Sequence, residues 1–264
     1  MIPALASQSA SLPIIKGLSL CNLVLTATLL ALPLAGCSQE IANPDIEDIP
    51  AESIYKYSAS SYDGIGKEYM GREISHVMGH QGAGWLERPD RIQEERTDLL
   101  LANLPIKPGD SVADIGAGTG YFSLPMANMV GAMGTVYAVD IQPEMLSIIE
   151  ARSKAMSVVN ITRVLATVDD PRLPNDTLNM VLFVDAYHEF EWPREVMSGV
   201  YNSLVSGGKV VLIEYRAEDP SVPIKRLHKM SVKQACKELE AVGLVFVSNF
   251  NFLPQQHFLV FEKP

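Results

Sequence analysis

The sequence predicts an α/β fold in which a mostly parallel sheet is covered by helices on both faces. Three observations predict it. From Pro89 onward, short apolar runs of strand length alternate with longer stretches of helical periodicity. One run, residues 180–184 (MVLFV), is apolar at every position, as in a strand buried on both faces. A glycine-rich turn at residues 116–120 separates an apolar run from a helical stretch, the place where open α/β sheets hold ligands.

The chain begins differently. Among its first 36 residues only Lys16 is charged, which leaves residues 37–264 with 20 basic against 31 acidic side chains. Residues 18–34 are uncharged and run into Ala35-Gly36-Cys37. A basic flank, an apolar run of this length and a small-residue exit describe a secretory signal better than a spanning helix. The ending Leu34-Ala35-Gly36-Cys37 resembles the lipobox of bacterial lipoproteins, which implies cleavage after residue 36 and lipidation of Cys37. Residues 37–62 are polar and aperiodic and read as a flexible tether. Residues 63–104 read as a helical and lid region, with 76–88 and its Trp85 folding over a ligand mouth. His76 and His80 are four apart, but Gly79 and Gly82 break the helix that spacing needs, so no metal site is expected there. Asp90 and Gln93 form a box-like cap for a helix whose apolar face is Ile92, Leu99, Leu100 and Leu104.

Residues 105–264 form the main domain. Strands are expected at 111–115, 135–139, 161–166, 180–184, 209–215, 244–248 and 258–261. Between them lie helices at 121–130, at 143–156 with Pro143 in its first turn, from Pro193, and one capped by Ser231 with Gln234 and ended by Gly243. The net charge of −10 and the lack of a basic stripe exclude a nucleic-acid partner. Cys236 has no partner once Cys21 and Cys37 are assigned to the signal and the lipid, so the fold stands on its core.

The segment Asp114-Ile115-Gly116-Ala117-Gly118-Thr119-Gly120-Tyr121 carries the chemistry. A dinucleotide fingerprint would place its third glycine at 121, where Tyr121 stands, and Asp114 would repel a pyrophosphate; a nicotinamide oxidoreductase is excluded on both counts. Asp140, ending the second strand 20 residues beyond Gly120, stands where an acid accepts from ribose hydroxyls. A nucleoside with a cationic end and no phosphate fits both acids.

These residues resemble motif I and the following acid of class I S-adenosylmethionine-dependent methyltransferases, over roughly residues 85–264. The resemblance implies a three-layer Rossmann-like fold, a seven-stranded mostly parallel sheet with an antiparallel strand near the C-terminus, and S-adenosylmethionine as cofactor. It implies that Asp114, Gly116, Ala117, Gly118 and Gly120 face the methionine part and that Asp140 with Ile141 holds the ribose. Asp169 or Asp170, ahead of Leu173-Pro174, reaches the adenine, and Asp185 completes the set. After the apolar run, Asp185-Ala186-Tyr187-His188-Glu189 faces the methyl group. His188 is the first choice for a base or orienting group, because histidine titrates near neutrality. Tyr187, Glu189, Glu214 and His228 follow. The expected function is methyl transfer to a small-molecule or lipid-like acceptor by a lipid-anchored protein of the cell envelope. The alternative is a membrane-anchored, non-catalytic binding or scaffold module of the same fold.

Overall fold

The computed structural model describes residues 54–264; the segment expected to be a signal, and Cys37, lie outside them. Three short strands come first: β1 (Tyr55–Tyr57), β2 (Gly64–Tyr69) and β3 (Arg72–Ser75), an antiparallel sheet in the order β1-β2-β3. Three short helices follow, α1 (Ala83–Leu86), α2 (Arg91–Glu95) and α3 (Thr97–Ala102). The main domain then alternates. Its elements are β4 (Ser111–Ile115), α4 (Ser123–Val130), β5 (Thr135–Asp140), α5 (Pro143–Ala155), β6 (Ile161–Leu165), β7 (Leu178–Val184), α6 (Pro193–Ser203), β8 (Leu204–Tyr215), α7 (Val232–Glu240), β9 (Val245–Phe250) and β10 (Gln256–Glu262).

The main sheet has seven strands in the order β6-β5-β4-β7-β8-β10-β9. All pairs are parallel except those of β10, which runs antiparallel to β8 and β9. This is the architecture expected from the sequence. Along β7 the side chains alternate between two cores. Val181 and Phe183 pack under α6 and α7, whereas Met180 and Leu182 pack against the layer holding α4. Burial on both faces explains why this strand reads as an unbroken apolar run. Pro143 and Pro193 occupy the first turns of α5 and α6, and the Ser231 hydroxyl accepts from the Gln234 backbone N–H at 3.1 Å.

The N-terminal part departs from expectation. Tyr55–Tyr57, placed in the flexible tether, is a strand, and two more strands occupy the stretch read as helical. Their buried apolar residues are Tyr55, Tyr69 and Ile74, flanked by half-buried Ile54, Ile65 and Met70 and completed by Trp192 from a distant part of the chain. Such a pattern is nearly invisible locally. The β2–β3 hairpin turns on Met70 and Gly71, both with positive φ (51° and 94°), a geometry that more often announces itself as Asn-Gly. The helix expected from Asp90 is broken in two at Arg96, whose φ is 53°. The Asp90 side chain makes no cap; its backbone carbonyl takes the Gln93 and Glu94 N–H groups instead, and Ile92 is exposed. Among the described residues, no helix is long and apolar enough to cross a membrane.

Candidate active site

In the strand order, β4 is the point from which the chain builds outward both ways, and the carboxyl ends of β4, β5 and β7 open a crevice there. A cavity of about 520 Å³ fills it, lined among others by Gly116, Gly118, Asp140, Asp185, His188 and His228. Val77, Met78, Trp85 and Leu86 line it from above, where a lid was expected. That cover is pinned through Gln142: its amide donates to the Met78 carbonyl at 3.0 Å, and its Oε1 accepts from the His80 N–H at 2.7 Å.

The glycine turn gives the cavity its floor. Gly116 and Gly118 have φ of 72° and 53°, a region that side chains disfavour. A Cβ on Gly116 would lie 2.7 Å from the Ala186 methyl, and one on Gly118 would lie 2.6 Å from Leu86. Asp140 accepts from the Gly118 N–H and the Gln142 N–H, both at 2.9 Å, which holds turn and strand end together. Each carboxylate oxygen keeps a second lone pair for a ligand. Ile141 stands beside it on the wall. Ala117 and Gly120 do not line the cavity. Gly120 instead lets the turn close over Ile149, whose nearest atom would be 3.0 Å from an added Cβ.

Asp114 also takes another place than expected. It is buried behind the turn, off the cavity wall, and accepts from the Ser123 hydroxyl at 2.5 Å. Burial pushes its carboxyl up to about 6. The native state therefore prefers the neutral acid, so its contribution to stability is complete below the unfolded value near 4 and is lost as pH rises through about 6. Two units correspond to about 3 kcal/mol. In Asp114→Asn, which cannot ionise, urea unfolding at successive pH values should lack this decline. The variant should gain on the wild type by about that amount between pH 4 and 7; parallel curves would refute it.

Neither Asp169 nor Asp170 lines the cavity. Asp169 accepts from the Thr167 hydroxyl at 2.7 Å and Asp170 from the Arg172 N–H at 2.7 Å, so both shape an exposed turn. The wall there is Ala166, Thr167, Val168 and Pro171. Asp185 is on the wall, at a φ of 50°; one oxygen accepts from Gln256 at 2.8 Å, and the other is buried without a partner. Burial, with Glu95 and Glu214 nearby, pushes its carboxyl well above the ordinary range. A buried carboxyl with an unpartnered oxygen on a cavity wall calls for a hydrogen-bond partner from a ligand.

The opposite side of the cavity is built around a 3-10 turn, Tyr187–Glu189. Tyr187 turns away from the cavity into the core, against Phe183 and Phe190 at 5.9 and 5.8 Å. His188 is buried yet reaches the cavity. Its Nδ1 lies 2.6 Å from Glu214 Oε2, and its Nε2 lies 3.0 Å from His228 Nδ1. Glu214 is wholly buried behind it and also accepts from the His188 backbone N–H at 3.2 Å. Burial works against a charged His188 ring, but the Glu214 carboxylate outweighs it and holds the pKa above the ordinary value. Glu189 lines the cavity and accepts from the Met78 N–H at 3.1 Å. Beyond His228, Asp63 Oδ2 lies 3.0 Å from its Nε2. Asp63, Gln142 and Met78 escaped the sequence reading; only Gln142, two residues beyond Asp140, carried a local signal.

Comparison with known proteins agrees with this geometry. Residues 112–208 match the family described as a methyltransferase domain. The chain is 27% identical over 165 residues to a probable cobalt-precorrin-6B C(15)-methyltransferase (decarboxylating) of Saccharolobus solfataricus, covering 60% of this chain and 75% of that one. To a ubiquinone/menaquinone biosynthesis C-methyltransferase of a Marinomonas species it is 24% identical over 170 residues, covering 64% of this chain and 63% of that one. In fold it resembles a SAM-dependent methyltransferase of Aquifex aeolicus, with a TM-score of 0.67 at 19% identity, over 71% of this chain and all of that one. The enzyme is thus a class I methyltransferase, and S-adenosylmethionine is its cofactor. The residues fit that cofactor. The positive-φ turn lets a ligand approach the backbone, Asp140 faces it, and Asp185 offers the orphaned oxygen.

Proposed function

We propose that the protein methylates a small-molecule or lipid-like acceptor that binds at the His188–His228 edge of the cavity. The observation that carries this reading is that one cavity joins the glycine turn and Asp140 to His188, Glu189 and His228. When bound, S-adenosylmethionine supplies an electrophilic methyl group on a sulfonium. The chain has to hold the acceptor in line with that methyl group, exclude water and accept or orient a proton of the acceptor. His188, oriented by Glu214, and His228 do so from one side; Met78, Trp85 and Leu86 close the other. The Marinomonas and Saccharolobus relatives are named for carbon methylation of ring substrates, which supports a cyclic acceptor. The uncharged segment ahead of Cys37 supports attachment to a membrane and thereby a lipid-like acceptor.

Calorimetry of the full chain with S-adenosylmethionine tests the cofactor half. Saturable binding is expected, and Asp140→Ala should weaken it by about 1–3 kcal/mol, roughly 5- to 150-fold, through loss of a buried acceptor. Unchanged affinity would remove Asp140 from the site. Transfer of labelled methyl from the cofactor to a panel of quinols and catechols tests the acceptor half. Binding without transfer to any acceptor, membrane extracts included, would favour the non-catalytic module.

A further inference from the structure

We infer that His188, Glu189 and His228 bind a first-row divalent cation at the acceptor end of the cavity, through which an oxygen-bearing acceptor is held. The second clause rests on the methyltransferase reading; the site itself does not. Three donor atoms converge there. His188 Nε2 and His228 Nδ1 are 3.0 Å apart, and Glu189 Oε1 lies 3.9 and 3.6 Å from them. Ligands about 2.1 Å from one metal stand roughly 3.0 Å apart at a right angle and roughly 3.4 Å apart at the tetrahedral angle. The three atoms therefore need to shift little to share an ion.

The groups behind them point the same way. Glu214 accepts from His188 Nδ1, so in the neutral ring the lone pair is on Nε2. Asp63 Oδ2 stands 3.0 Å from His228 Nε2, out of hydrogen-bond alignment, and its negative charge favours the proton on that side of the ring, which puts the second lone pair on Nδ1. Two imidazole lone pairs then face each other at 3.0 Å, an arrangement that repels unless something positive lies between them. A shared proton would relieve that repulsion but would leave Glu189 without a part in it. A cation uses all three atoms. His188 is hydrogen-bonded to a carboxylate behind it, as metal-ligating histidines usually are, Asp63 places a negative charge beside His228, and Glu189 is aimed by the Met78 N–H on its other oxygen. His188 is buried, while Glu189 and His228 are half-buried on the cavity wall, which leaves coordination positions open toward the ligand. Two imidazoles and one carboxylate favour manganese, iron, cobalt or zinc over magnesium and calcium. A bound ion would polarise an acceptor oxygen and fix its position.

The test uses cobalt(II) chloride on the full chain after treatment with a chelator and dialysis, with metal analysis, visible absorption and calorimetry as readouts. One equivalent of cobalt per chain is expected, with d–d absorption characteristic of nitrogen and oxygen ligands. His228→Ala and Glu189→Gln should each weaken binding at least tenfold, while His80→Ala, outside the cluster, should leave it unchanged. Circular dichroism and S-adenosylmethionine affinity, measured on the same preparations, report folding. Absence of stoichiometric cobalt binding by protein that is folded overturns the inference, as does binding that survives both cluster variants. Cobalt binding that depends on the cluster, in protein that does not bind S-adenosylmethionine, would support the site and overturn the proposed methyl transfer.

Discussion

Replacing Glu238 with alanine is expected to lower the free energy of unfolding by about 3–5 kcal/mol, because it leaves a guanidinium buried without its counter-ion. Arg72 on β3 donates to Glu238 on α7 through Nε at 2.8 Å and through its second terminal nitrogen at 2.9 Å. The carboxylate side chain is 0% exposed and the guanidinium side chain 9%, so water can replace little of what is lost. Arginine, unlike histidine, does not escape by giving up its proton. The remaining Arg72 nitrogen donates to the His188 carbonyl at 3.0 Å, and the Ser75 hydroxyl donates to the same oxygen at 3.3 Å. The pair thus fastens the N-terminal sheet to the turn that carries His188. Urea unfolding should show a lower midpoint at an unchanged slope for a variant that keeps two-state behaviour. A loss below about 1 kcal/mol would place the pair among surface-like salt bridges and contradict this account.

Removing the His188 ring should have the largest effect on turnover. His188→Asn is the informative variant, since the asparagine amide can still donate to Glu214 and avoids leaving that carboxylate buried alone. Methyl transfer to a quinol or catechol acceptor is expected to fall by about 10²–10⁴-fold, the range for loss of a positioned proton-transfer group. S-adenosylmethionine affinity should stay within about threefold, because the side chains proposed to hold the cofactor, Asp140 and Asp185 with the glycine turn, do not include His188. A variant that turns over like the wild type would remove His188 from the chemistry. One that loses cofactor affinity to the same degree would make it a structural element of the pocket.

The glycine-turn half of the cavity, proposed for the cofactor, was legible because its parts are local. A glycine turn after an apolar strand, and an acid at the end of the next strand, are each written within a few residues, and the parallel pairing of β4 with β5 sets them side by side. Some side chains that the resemblance set against the ligand lie off the cavity wall. Asp114 bends back to Ser123, and Asp169 is taken by Thr167, because a short carboxylate satisfies the nearest donor before it reaches a ligand. Tyr187 looked reactive among polar neighbours, yet its ring completes an aromatic cluster with Phe183 and Phe190. One step along a 3-10 turn separates it from His188, and that step reverses which side chain faces the cavity.

By itself, then, the sequence determined the alternation of strands and helices, the mostly parallel seven-stranded sheet and the glycine turn at its centre, since periodicity and turn chemistry act over short stretches of chain. The tertiary structure alone decided the acceptor side. Asp63, His188, Glu214 and His228 meet because β3 packs against both the Tyr187–Glu189 turn and the Arg226–His228 turn, which touch each other, and the former also packs on β8. Nothing in the spacing of those four residues along the chain favours their meeting. Close packing of separately formed elements brings them together, and burial then makes their mutual hydrogen bonds and charges strong enough to define a site.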